Sequence, residues 1–279
     1  MSGVLIAAIL TAAAVILFYG MLIRMLAEPG DRRVLLIAAI AMLPMQPIAF
    51  FFLRVPLDGL LQGSIGTADP YPLLTTLYAP LTEEPAKWLV LLIPLVRRRL
   101  TPDNAVPLAL ATGVGFGLGE IGFLARRLVE VPELAGMPFW NLGGFLLERF
   151  VVCFLHGAFL VFFFRRLAQG GPAWPGALAG MALHFALNFP IFLAGAGLFG
   201  LPPEIWQAIL TVYMLIFAAV LGAVINGMVG GTLRTAAMGV STCPECGTEY
   251  PRPLLALNLG PVRYERCPAC RKFHLVRII

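Results

Sequence analysis

Apolar residues in this chain come in long unbroken runs, not in the periodic patterns of a water-soluble domain. Runs of roughly twenty residues, the helix length that crosses a bilayer's hydrocarbon core, recur along it. They lie at about 3–25, 34–54, 71–96, 105–125, 140–164, 174–198 and 204–228. They predict an all-α polytopic membrane protein of about seven transmembrane helices. The first run, GVLIAAILTAAAVILFYGMLI, is too long for the apolar stretch of a signal peptide and lacks a basic segment or a clear cleavage site. It therefore reads as a retained helix. Pro44 and Pro47 are expected to kink the second span, and Pro85 the third. The pattern changes at about residue 240. From there, STCPECGTEYPRPLLALNLGPVRYERCPACRKFHLVRII reads as a small soluble module. The chain thus divides into a transmembrane domain, 1–238, and a C-terminal module, 239–279.

Composition excludes an ordinary soluble domain: 59% of residues are hydrophobic, 13% are charged and the mean hydropathy is +0.86. The net charge of +5 comes mostly from arginines at span ends. Arg24, Arg32 and Arg33 follow the first span, Arg97, Arg98 and Arg99 the third, Arg165 and Arg166 the fifth, and Arg234 the seventh. The positive-inside rule puts these alternate loops in the cytoplasm. The opposite loops carry Asp58, Asp69, Glu130, Glu133 and Glu204. The N-terminus is then outside and the C-terminal module cytoplasmic. Arg126 and Arg127 break the pattern, and LARRLVEVPELAGM around them reads as an interfacial amphipathic piece. Trp140, Trp174 and Trp206 fall near span ends, where interfacial aromatics gather. Such a charge distribution points to the lipid bilayer as a partner and not to nucleic acid.

Polar residues inside these runs carry the chemistry, because charge within a bilayer is costly and marks function. The third span holds Glu83, Glu84 and Lys87, the fourth Glu120, the fifth Glu148, Arg149 and His156, and the sixth His184 and Asn188. At 1.5 Å of rise per residue, His156, His184, Glu84 and Glu120 lie roughly 14, 16, 19 and 22 Å from the cytoplasmic ends of their spans. All four share a layer near the membrane centre. His184 and Asn188 point the same way at i,i+4. Gly113 and Gly117 form a small-xxx-small surface beside Glu120. Glu83 and Lys87 have the spacing of an i,i+4 ion pair, and Lys87 would neutralise one of the two carboxylates and leave the other able to take a proton. Glu148 and Arg149, nearer the outer edge, read as a structural pair. A carboxylate beside an imidazole can deprotonate a water, and an amide with a second imidazole can stabilise an oxyanion. The same groups could instead form the proton relay of a transporter, although no internal repeat is visible. A catalytically silent scaffold that uses the C-terminal module for docking is the third alternative.

The cysteines divide the same way. Cys153 lies alone in an apolar run and reads as a small buried side chain. Cys243, Cys246, Cys267 and Cys270 form C-x2-C-x20-C-x2-C. Two such knuckles give four thiolates to one tetrahedral zinc ion, the pattern of a zinc ribbon. Disulfides or a redox pair are the alternatives, and a cytoplasmic location disfavours disulfides. GPVRYER and KFHLVRII read as its strands. His274 competes as a ligand but reads as a strand residue. Arg263, Arg266, Arg271 and Lys272 are positioned to rest on anionic lipid.

Taken together, EEPAK at 83–87, FGLGE at 116–120, His156 and HFALN at 184–188 resemble the motifs of the PrsW family of intramembrane proteases. That family is related to the CAAX prenyl endopeptidases and bacteriocin-processing enzymes. The resemblance covers about 83–188 and implies a glutamic-type intramembrane endopeptidase. Glu83 would activate water with help from Glu84, and His184 and Asn188 would stabilise the oxyanion. Glu120 stands where the CAAX enzymes have a histidine, and His156 is the candidate replacement. Ile121 follows Glu120 where the family often has asparagine. The implied partner is a membrane-anchored protein, an anti-sigma factor being the family's best-known substrate. PrsW-like enzymes have also been described as metalloproteases. No HExxH helix is present here, so a site without a catalytic metal is the favoured expectation, with zinc confined to the ribbon.

Overall fold

The computed structural model describes residues 2–66, 71–229, 239–253, 256–258 and 262–277. The chain divides into two compact units, Met1–Gly222 and Ala223–Ile279. Asp69 and Arg234, both used in the topology argument, lie outside the described residues.

The first unit is helical. Its elements are α1 (Gly3–Leu26), α2 (Arg32–Met42), α3 (Met45–Ile65), α4 (Tyr71–Trp88), α5 (Pro94–Arg99), α6 (Ala105–Leu128), α7 (Gly143–Ala168) and α8 (Trp174–Gly195), followed by α9 (Pro203–Met228), which runs past its end. Among the described residues, six helices are long and apolar enough to cross a membrane: α1, α3, α6, α7 with the 3-10 turn before it, α8 and α9. The protein is an integral membrane protein. α4 is not among the six, because Glu83, Glu84 and Lys87 lower its hydropathy. These three side chains are buried within the bundle.

Two span boundaries differ from the sequence reading. The second predicted span breaks at Leu43–Pro44, and a new helix then continues to Ile65. Pro44 has no N–H to give, so the hydrogen-bond ladder restarts there. Asp58, expected in a loop, therefore sits on α3, where it accepts hydrogen bonds from Tyr71 and from Tyr78 at 2.8 Å. α4 runs through Pro80 and Pro85 and tightens to a 3-10 turn at Leu89–Leu92. Arg126 and Arg127 close α6, where cations complement the helix dipole, and both pair with Glu130.

α6 is the hub. Two-thirds of its span is buried (67%), against 6% for α3, and it packs on α1, α2, α3 and α7. Small residues make this possible, since helices in lipid associate through close packing and not through the hydrophobic effect. A Cβ added at Gly113 would lie 2.0 Å from the Gly157 nitrogen on α7, and one at Gly117 would lie 2.6 Å from the Cys153 sulfur. Cys153 is buried in that seam.

The C-terminal module is built of short antiparallel strands: β1 (Val240–Thr242) with β2 (Glu249–Pro251), and β3 (Leu257–Asn258), β4 (Val262–Arg266) and β5 (Phe273–Arg277) in the order β3-β4-β5. Register alternates the faces of β4. Arg263 and Glu265 are buried, and Glu265 accepts from the Tyr250 hydroxyl at 3.1 Å. Arg263, expected on the surface, instead donates to the Pro253 carbonyl at 2.9 Å.

Candidate active site and metal centre

The polar residues of α4, α6, α7 and α8 meet as one connected network. Lys87 Nζ lies 2.5 Å from Glu84 Oε1, and the same oxygen lies 2.7 Å from His184 Nδ1. Lys87 also approaches His156 Nδ1 at 3.3 Å, while His156 Nε2 meets Glu120 Oε2 at 3.0 Å. Arg149 spans Glu120 at 3.0 Å and Glu148 at 2.5 Å. An ammonium can only donate, so Nδ1 of His156 accepts and Nε2 carries the hydrogen given to Glu120.

The expected Glu83–Lys87 pair does not form. Lys87 turns inward, fully buried over the rings of Phe116 (5.4 Å) and Phe159 (5.8 Å), and takes Glu84 at i,i+3. On a helix both spacings are within reach, and the packing against α6 and α7 decides between them. Glu83 is left with Arg54 at 3.6 Å and His184 Nε2 at 3.8 Å. Arg54 ends a π-helical stretch, Phe50–Arg54, a local widening that recurs at functional sites, and lies over the Tyr78 ring.

Position relative to a cavity separates the two adjacent carboxylates. A cavity of about 1030 Å³ is walled by Glu83, Glu120, His156, His184 and Asn188, and by Arg54 and Arg149. Glu84 and Lys87 lie buried behind that wall. All six sequence-predicted site residues thus belong to one neighbourhood, five on the cavity and Glu84 supporting His184 from behind. Sequence reasoning passed over Arg54, because the second span was ended at that residue. An arginine inside AFFFLRVPLDG was the available signal. Arg149, expected as the structural partner of Glu148, also pairs with Glu120 on the cavity wall. Trp206, expected at the interface, is buried in the cavity wall.

One donor atom each from Glu83, His156 and His184 all lie within 4.8 Å of one another, a spacing that could hold a metal ion. Both ring nitrogens of His156 are already engaged, one of them by a cation, so this donor set fits an ion only if Lys87 or Glu120 gives way.

Cys243, Cys246, Cys267 and Cys270 cluster in the module. Cys243–Cys270 and Cys246–Cys267 each stand 3.7 Å apart, sulfur to sulfur. A tetrahedron with metal–sulfur bonds of about 2.3 Å has edges of about 3.8 Å, so the cluster is compatible with a zinc site. Each knuckle closes on a backbone hydrogen bond to its first cysteine carbonyl, from Gly247 and from Arg271 (both 3.0 Å), and both donors have left-handed backbone. Hydrogen bonding with the Thr248 side chain and backbone pulls the Cys246 thiol down to about 6, toward the thiolate that binds metal. His274 Nε2 sits 3.5 Å from Cys270 Sγ, beside the four sulfurs.

No family model, curated protein or solved structure matches this chain.

Proposed function

We propose that the protein is an intramembrane endopeptidase that hydrolyses peptide bonds of membrane-anchored proteins with a glutamate-activated water. A single observation carries this reading. Glu83 and the Nε2 atom of His184 stand side by side on the wall of a 1030 Å³ cavity, with Asn188 one helical turn beyond His184. Glu83 takes a proton from water as the oxygen attacks the substrate carbonyl carbon. The carbonyl oxygen becomes an oxyanion and accepts from the Asn188 amide and from His184 Nε2–H. Glu84, 2.7 Å from Nδ1, orients that ring, and Lys87 balances Glu84. Glu83 then returns its proton to the leaving amine as the carbon–nitrogen bond breaks. Glu120 and Arg149 fix His156 as a rigid side wall. The likeness of EEPAK, FGLGE and HFALN to the PrsW family supports the same assignment. The arginine asymmetry supports an outer N-terminus and a cytoplasmic module, and the four cysteines are proposed to hold one structural zinc.

The test is cleavage of co-expressed single-pass substrates by the wild type and by Glu83→Gln, with expression and thermal stability measured for both. Abolished cleavage with retained folding is expected. Cleavage by Glu83→Gln at the wild-type rate would overturn the assignment. Flux across proteoliposomes with no peptide product would favour the transporter.

A second reading, a metal-dependent protease, is favoured by the Glu83, His156 and His184 spacing. A divalent ion bound there would supply Lewis acidity and a more acidic water. Metal content of a variant lacking the ribbon cysteines separates the two readings: a second ion that survives the replacement, and whose removal stops cleavage, would establish this one.

A further inference from the structure

The outer face of the β3-β4-β5 sheet is apolar where a small soluble module has no reason to be. Leu257, Tyr264 and Leu275 align across the three strands, and Phe273 stacks on Tyr264 with ring centroids 5.4 Å apart. All four side chains are between 44% and 60% exposed. The alternation of β4 and β5 puts Val262 and Arg266 on the same face, with the Arg266 guanidinium 6.0 Å from the Phe273 ring. Among the described residues no acidic side chain stands on this face. The acid of β4, Glu265, is turned inward to Tyr250 and Arg263. Arg271 lies next to Arg266, whose Nε donates to the Arg271 carbonyl at 2.8 Å.

We propose that this face docks on the surface of an anionic bilayer. The argument rests on charge complementarity and on the residue types. Tyrosine and phenylalanine seat at headgroup depth, leucine enters the acyl boundary, and arginine meets lipid phosphate. Either signal alone binds a membrane weakly, and two together hold. The module also never has to find the bilayer, because its own chain continues from membrane-spanning helices, which keeps its local concentration near lipid high. Nucleic acid would meet the same arginines and aromatics, but only lipid also accommodates Leu257 and Leu275.

Full-length protein carrying a photoreactive benzoylphenylalanine at Leu275, reconstituted in nanodiscs with and without phosphatidylglycerol, tests this. The same group at Glu249, on the other sheet, is the control. Lipid adducts at position 275 are expected, several-fold above those at 249 and dependent on the anionic lipid. Arg266→Ser with Arg271→Ser should reduce them about tenfold or more, the loss expected from two basic residues at a charged surface. Zinc content is measured throughout, so that loss of the fold is not read as loss of docking. Adducts no more frequent at 275 than at 249, insensitivity to phosphatidylglycerol, or capture of an added oligonucleotide in place of lipid would each overturn the proposal.

Discussion

The two clusters of reactive side chains in this protein are assembled in opposite ways. The cysteine cluster comes from two short knuckles, each a turn that closes on its own first residue. The membrane cluster draws Arg54, Glu83, Glu120, Arg149 and His184 from five separate helices, none of which completes it alone. Local closure lets each knuckle set its own two sulfurs. Long-range closure makes the membrane cluster depend on the helix seams around it.

Breaking charge balance behind the cavity wall should have the largest effect. Lys87→Met leaves Glu84 buried against His184 without its cation, and a loss of about 3–5 kcal/mol is expected, read as lost expression and a collapsed thermal transition in detergent. Lys87→Met with Glu84→Gln should recover part of it. Strict additivity of the two would show that the pair is not coupled. Glu83→Gln, on the cavity side, should leave that transition in place and lower cleavage by at least about 10²-fold.

Next comes the seam. Gly113→Leu drives a side chain into the α7 backbone, and the whole polar network should loosen with it, seen as lower helix-bundle stability and lost cleavage together. In the ribbon, Cys243→Ser should abolish zinc binding and melt the module while the transition of the spans is unchanged, checked by metal analysis and hydrogen exchange. A joint transition would erase the contrast between the two clusters. The smallest effect is expected for Arg271→Gly, which relieves left-handed backbone at a residue with a side chain. A gain of up to about 1 kcal/mol in module stability is the outcome to measure.

This contrast explains what was legible. Cys243 to Cys270 could be read from spacing because a knuckle is a local object. The helices could be read from hydropathy, and the shared depth of Glu84, Glu120, His156 and His184 from simple rise per residue. Which carboxylate Lys87 takes could not be read. Both lie within reach on α4, and the choice follows from Phe116 and Phe159 on other helices. Arg54 was hidden for a related reason. Hydropathy ends a span at a charge, while the chain continues as helix through Arg54, whose guanidinium lies 3.6 Å from Glu83 on α4.

The polarity of α4 also bears on biogenesis. Glu83, Glu84 and Lys87 lie in the C-terminal part of α4, Lys87 in its last turn, and each opposes independent partitioning by at most about 3 kcal/mol, the translocon cost of a charge at a helix centre. That cost disfavours α4 as a solitary segment in the bilayer. α3 is synthesised just before it and brings Arg54, so the two are matched for insertion as a hairpin. His156 of α7 and His184 of α8, which complete the contacts of Lys87, Glu83 and Glu84, emerge later from the ribosome.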